Sequence, residues 1–206
     1  MSTTTSRGPY AKSAEVRRKI LEACIDAFGQ TGFYGATTKD IAQRAGISHT
    51  GLRHHFPTKE DLLAALLELR DERSKEILMS AQVLDPRVGP LDALRGMLAR
   101  LVDDELKPGL MELHCVLSGE ATSPDHPAHE YYAKRYRDLR QFYTETFAEL
   151  ADRGELRSTF EPDMLATMVI SLINGLQAQW LFNRDTVHIE HTLRKFLTSV
   201  VPALDG

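Results

Sequence analysis

Apolar residues recur at three- and four-residue intervals along nearly the whole chain, and no segment alternates apolar and polar residues long enough to make a useful strand. That periodicity restricts the chain to an all-α architecture of about nine helices. Val16, Ile20, Cys24, Ala27 and Phe28 share one face of a first helix from Ser13 to Thr31, and Gly29, Gly32 and Gly35 punctuate its end. A short helix over Thr38–Ala45 takes Thr37 or Thr38 as its cap, Gly46 breaks the chain, and Ser48 caps a second short helix to about Phe56. Pro57-Thr58 opens a long fourth helix, with Thr58 and Asp61 at capping-box spacing, that runs to about Ala81. Pro86, Gly89 and Pro90 mark a loop. Helices follow at Leu91–Glu105 and from Pro108 to Ala121, then a loop from Ser123 to Pro127. A seventh helix, with Tyr132, Tyr136, Leu139, Tyr143 and Leu150 on one face, ends near Gly154. The eighth runs from Pro162 to Asn183, and the ninth holds Ile189, Leu193, Phe196, Leu197 and Val200.

Composition narrows the class further. With 206 residues, 42% hydrophobic and 26% charged, the chain can bury a real core and is not a disordered or collagen-like sequence. Cys24 and Cys115 lie far apart and form no Cys-x-x-Cys, so a reducing compartment is expected. No apolar run reads as a membrane span of about 18 residues. The longest candidate, Met164 to Leu181, is broken by Ser171, Asn174, Gln177 and Gln179. The N-terminus has no apolar signal core, and a cytoplasmic protein with no membrane partner is expected.

The net charge of −4 conceals a split: residues 1–60 sum to +4 and residues 61–206 to −8. A basic head on an acidic body suits a head that meets a polyanion. The segment Thr37 to Lys59, TTKDIAQRAGISHTGLRHHFPTK, gives that head a shape. With Thr38 as the first position of a helix-turn-helix, Ile41 points into a small core and Ala42 faces the partner helix. Gly46 sits where a positive φ is needed, Ile47 plugs the corner, and Leu52 and Phe56 form the buried face of the second helix. His49, Thr50, Gly51, Arg53, His54 and His55 are left on or near the outer face. Ser48 and its neighbours at the helix start can offer backbone N–H groups to phosphate. Such a helix suits the major groove of DNA.

Residues from about Arg17 to Leu67 resemble the DNA-binding domain of TetR-family (tetracycline-repressor-like) regulators, through ILEACIDAFGQTGFYGATT, DIAQRAGIS and GLRHHFPTKEDLL. The resemblance implies a homodimer on a pseudo-palindromic DNA operator, with a DNA-binding domain over 13–73 and a ligand-binding and dimerisation domain over 74–206. By resemblance Thr38 and Lys39 touch the DNA backbone. His49, Thr50 and Gly51 face the groove, His54 and His55 touch backbone or groove, and Lys59 holds a phosphate. Arg53 stands where the family commonly has Tyr; it can read guanine or clamp a phosphate. The alternatives are local: Arg53 paired with Asp40 or Glu60, Lys59 solvated, His55 structural, Gly51 allowing close approach.

The last two helices carry apolar stripes, Leu165, Met168, Val169, Leu172, Leu176 and Trp180 on one, and Ile189, Leu193, Phe196, Val200 and Leu204 on the other. The resemblance favours a dimer interface built from Leu165, Met168, Val169, Leu172, Leu176, Leu193, Phe196, Leu197 and Val200; the alternative is that both stripes face the protomer core. An effector pocket is expected among helices four to eight, with His114, Cys115, Ser118, Tyr136, Asn174, Gln177 and Trp180 as candidate lining for a small, partly apolar ligand. These polar groups can equally find partners in backbone or across the dimer. No nucleophile, phosphate-loop or metalloprotease motif is present, so no catalytic residue and no cofactor are expected. His126/His129 and His188/His191 lack further ligands at metal spacing and read as surface histidines. The leading reading is a ligand-responsive transcriptional regulator, most simply a repressor. An activator, a ligand-insensitive DNA-binding regulator, and an all-α enzyme or carrier are the alternatives.

Overall fold

The computed structural model describes the backbone of residues 9–80, 89–105 and 107–205. Among these residues the elements are α1 (Pro9–Gly35), α2 (Thr38–Arg44), α3 (His49–His55), α4 (Lys59–Ser80), α5 (Pro90–Glu105), α6 (Pro108–Glu120), α7 (His129–Asp152), α8 (Pro162–Phe182) and α9 (Ile189–Val200). A 3-10 turn, Pro202–Asp205, follows. The expected helix end at Ala81 and the loop residue Pro86 lie outside the described residues.

Local chemistry sets most of these boundaries. Thr37 caps α2 by accepting the Asp40 N–H at 3.1 Å, and Ser48 caps α3 by accepting the Gly51 N–H at 3.0 Å. At the end of α2 the Ile47 N–H bonds the Ala42 carbonyl at 3.0 Å and the Gly46 N–H bonds the Gln43 carbonyl at 3.1 Å. This is a Schellman closure around Gly46, whose φ is +69°. The same closure ends α7 at Gly154 (φ +70°). Before α4 the Thr58 N–H donates to Asp61 Oδ2 and the Asp61 N–H to Thr58 Oγ1, each at 3.0 Å. Asp61 thus completes the capping box that a glutamate usually closes. Thr58→Ala is expected to cost about 1 kcal/mol, read as a lower urea midpoint with an unchanged slope.

Two cores share the chain. The first joins α1 to α4 with Leu113 and Leu117 of α6 and its C-cap Ala121, and with Ala128 and Tyr132 at the start of α7. The second joins α5, α7, α8 and α9 with Met111 of α6. Helix α6 therefore belongs to both. Its approach to α1 is close because two glycines face the contact. A Cβ on Gly29 would lie 3.4 Å from the Leu113 backbone nitrogen, and one on Gly109 would lie 3.4 Å from Ile25 Cγ2. Cys24 lies wholly inside the first core, where burial pushes its thiol up to about 12.

The first helix is longer than its apolar pattern and carries a kink. Gly32 has φ +72° and ψ 178°, inside the α1 span. The Phe33 N–H released by the kink donates to Glu120 Oε2 at 2.7 Å.

Three sequence expectations are corrected. His126 is not a surface residue: it is 2% exposed, between the rings of Phe33 and Tyr34 at centroid distances of 5.4 and 5.3 Å. Its Nδ1 accepts the Ala128 N–H at 3.1 Å, and its Nε2 lies 3.5 Å from Glu120 Oε2. The polar sequence around it disguised a loop that tucks under the α1 kink. Second, α8 is long and apolar enough to cross a membrane by length and composition. Its interrupting residues are amides and a serine rather than charges, and its buried face, Leu165, Ala166, Val169, Ile173, Leu176, Gln177 and Trp180, closes the second core. Third, five of the nine expected interface residues, Leu165, Val169, Leu176, Leu193 and Leu197, are buried inside the protomer. A helix packed on α7 and α9 of its own chain spends its most apolar row there. Met168, Leu172, Phe196 and Val200 remain partly exposed.

Candidate functional site

The helix-turn-helix is built as the residue pattern requires. Ile41, Ala42, Leu52 and Phe56 are buried, and Ile47 packs against the same core. Fixing those residues inward leaves Lys39, Ser48, His49, Thr50, Arg53 and His54 exposed on one side, with Thr38, Gly51 and His55 half-buried. Thr38 Oγ1 and His49 Nε2 are 2.9 Å apart, tying the start of α2 to the start of α3. The rings of His54 and His55 meet edge-on at 5.6 Å. Gly51 has a local reason: a Cβ there would lie 3.1 Å from the capping Ser48 hydroxyl.

The cations of this head divide into engaged and available ones. Arg44 donates to Asp40 and to Gln30, Arg18 pairs with Glu22, and Arg17 lies 4.3 Å over the Phe56 ring. Lys59 turns inward, where its ammonium donates to the carbonyls of Phe33 (2.9 Å) and Ala36 (3.1 Å) and sits over the Phe33 ring. It clamps the α1–α2 turn and keeps one N–H for a further acceptor. Arg53 stands apart. Asp40 is held by Arg44, and among the described residues Arg53 makes no ion pair.

The second site lies where α4, α5, α6, α7 and α8 converge. His114 stacks on Tyr132 with centroids 5.8 Å apart, and its Nε2 is 3.5 Å from Asn174 Oδ1. Asn174 Nδ2 donates to the Tyr136 hydroxyl at 3.0 Å. An interior cavity of about 30 Å³ is lined by His114, Tyr136, Asn174 and Gln177 together with Arg70, Arg100, Arg135 and apolar neighbours. A cavity of about 220 Å³ beside it is lined by His114, Cys115, Ser118 and Asn174. A third, of about 410 Å³, opens along Met97, Tyr131, Arg135, Leu139 and Phe142. Burial, then the charges of Arg70 and Arg135, hold His114 well below the usual imidazole range, against the opposing Asn174 contact. It is a neutral ring with one donor and one acceptor.

Six of the seven residues expected to line a pocket meet here. Trp180 does not line these cavities; it packs in the second core with Arg184 4.8 Å over its ring. Sequence reasoning missed the arginines. Its available signal was position: Arg135 falls three residues after Tyr132 and four before Leu139, and Arg70 three after Leu67. Both put a charge in an apolar row.

Known proteins give this architecture its class. Residues 20–66 match the profile described as bacterial regulatory proteins of the tetR family, and residues 90–202 that of the BetI-type transcriptional repressor C-terminal domain. The chain belongs to the TetR family of transcriptional regulators: it is a DNA-binding protein and not an enzyme. It is 24% identical to the regulator TtgR of Pseudomonas putida over 189 residues, 90% of each chain. It is 38% identical to RutR of Escherichia coli over 92 residues, 45% of this chain and 37% of that one. A transcriptional regulator from Saccharomonospora viridis, solved in complex with choline, superposes with a TM-score of 0.68. That match has 26% identity and covers 91% of this chain and 98% of the other. Regulators of this family bind operator DNA as dimers and respond to small-molecule effectors.

Proposed function

We propose that this protein is a cytoplasmic repressor whose two α3 helices enter successive major grooves and which a small effector in the body releases from DNA. The observation that carries the reading is the exposed face of α3, with its apolar side satisfied and Arg53 exposed and without an ion pair among the described residues. Thr38, Lys39 and Lys59 hold phosphates, while His49, Thr50, Gly51, Arg53, His54 and His55 face the groove around the Ser48 cap. The functional division falls near residues 73 and 74, within α4. This helix carries Lys59 at the head and Arg70 at the cavity, so an effector that favours one setting of α4 changes the spacing of the heads.

The outer row of α8 and α9 supports the dimer. Met164 and Phe182 are exposed, Met168, Leu172, Phe196 and Val200 are half-buried, and a Cβ on Gly175 would meet nothing within 4 Å. A second copy laid across this row would cover it.

A mobility-shift titration with the DNA flanking the protein's own gene tests the reading. Specific binding is expected to weaken by about a thousandfold between roughly 50 and 200 mM salt. Equal affinity for that DNA and for unrelated DNA would reject a specific regulator.

A further inference from the structure

Three residues that line the interior cavity of about 30 Å³ each hold a polar atom with no hydrogen-bond partner. The atoms are His114 Nδ1, Gln177 Oε1 and Arg135 Nε, and all three are buried. His114 and Gln177 are only 7% and 4% exposed, so bulk solvent does not satisfy them. Buried polar groups in folded proteins are nearly always paired, so three orphans around one cavity mark a place where a ligand's polar atoms fit.

Neighbouring bonds set which of these atoms accept and which donate. Asn174 Nδ2 donates to the Tyr136 hydroxyl at 3.0 Å, which turns Asn174 Oδ1 toward His114. A carbonyl oxygen accepts, so the ring carries its proton on Nε2, 3.5 Å away, and keeps a bare lone pair on Nδ1. Gln177 Oε1 is likewise an acceptor, and Arg135 Nε is a donor. The lining therefore presents two acceptors and one donor.

The arginines nearby do not turn this set into an anion site. Neither Arg70 nor Arg100 is free, and Arg70 donates to the Tyr132 hydroxyl at 3.3 Å. Arg135 turns Nη1 toward Asp71 Oδ1, 3.9 Å away. A carboxylate brings only acceptors, which would confront Gln177 Oε1 and His114 Nδ1, and a quaternary ammonium has no N–H to give them. An alcohol has one hydrogen and leaves one acceptor unserved. A primary carboxamide has two donor hydrogens and one acceptor oxygen in one plane, and it can serve all three atoms. The cavity has room for about two waters, which the nitrogen and oxygen of an amide match. Met97, Arg135 and Leu139 line both this cavity and the cleft of about 410 Å³, where Phe142 continues the wall.

We propose that the effector is an uncharged molecule with a primary amide head and an apolar body. Its N–H groups donate to Gln177 Oε1 and His114 Nδ1, its carbonyl accepts from Arg135 Nε, and its body lies toward Met97, Leu139 and Phe142. This rests on the effector-binding reading of the body and gives that effector its hydrogen-bonding head.

The test is a thermal melt of the full-length protein with three matched series: benzamide and straight-chain primary amides, their N,N-dimethyl amides, and their carboxylates. The dimethyl amides keep the acceptor and lose both donors. At least one primary amide is expected to raise the midpoint saturably and to bind at least about tenfold tighter than its dimethyl amide and its carboxylate. Gln177→Met, of similar length but without the acceptor, should cut that preference by about tenfold. Its ligand-free midpoint should equal or exceed the parent's, because the substitution removes an unsatisfied buried acceptor. A dimethyl amide or carboxylate that binds as tightly as the primary amide overturns the inference. So does a preference unchanged in Gln177→Met, a ligand-free midpoint well below the parent's, or no shift from any primary amide into the millimolar range. A parallel operator titration separates the two readings. A protein that binds its operator but ignores primary amides keeps the regulator reading and loses this one. A protein that binds amides but no operator does the reverse.

Discussion

Gly32→Ala is expected to lower the stability of the folded protein by about 3–5 kcal/mol. Two costs add. Gly32 holds φ +72° and ψ 178°, a region nearly reserved for glycine, where a side chain costs about 1–3 kcal/mol. The new Cβ would also fall 2.0 Å from Glu120 Oε1 and 2.6 Å from its Cδ. Glu120 can swing away, but then it releases the Phe33 N–H it accepts at 2.7 Å and leaves His126. A charge-assisted bond to a part-buried N–H is worth about 1.5–3 kcal/mol. Urea unfolding at fixed protomer concentration reads the change. Glu120→Gln, which keeps an acceptor and loses only the charge, should cost about 1 kcal/mol. A Gly32→Ala variant within about 1 kcal/mol of the parent would show that the kink relaxes freely and that Glu120 is not needed to hold it.

The second large effect is on recognition. Arg53→Ala is expected to reduce specific operator binding by about 1–3 kcal/mol per half-site, while binding to unrelated DNA stays nearly constant. The reason is which cations are already engaged. Arg17, Arg18 and Arg44 of the head are held by Phe56, Glu22 and the Asp40–Gln30 pair, and Lys59 is turned to two backbone carbonyls. Arg53 projects from the exposed face of α3 and makes no ion pair among the described residues, and its planar fork matches the O6 and N7 edge of guanine. Competition titrations against operators substituted at single positions locate the base pair it reads. Uniform weakening on all sequences, with a smaller salt slope, would assign Arg53 to a phosphate instead.

The head was legible in the sequence because its instructions are local. Thr37, Ser48 and the Thr58–Asp61 pair each act within three residues, and Gly46 acts through its own φ. Ile41, Leu52 and Phe56 face inward by helical spacing alone. The α8 and α9 stripes were legible as apolar but not as to their partner, because periodicity says that a face is covered and not by what. Leu165 and Leu197 went to the protomer's own core, while Met168 and Phe196 were left partly exposed. His126 shows the same limit: nothing in Ser123 to Pro127 announces that the loop folds beneath Phe33 and Tyr34.

By itself the sequence determined an all-helical chain, its caps and breaks, and a basic helix-turn-helix on an acidic body. These follow from spacing, backbone torsion and summed charge, each of which is carried by neighbouring residues. Tertiary structure alone decided that Gly32 bends α1 onto Glu120, and that Lys59 closes the α1–α2 turn. It also brought Arg70, Arg100 and Arg135 around His114. The three arginines are separated by 30 to 65 positions, and only the packing of α4, α5 and α7 brings them to one cavity with His114 of α6.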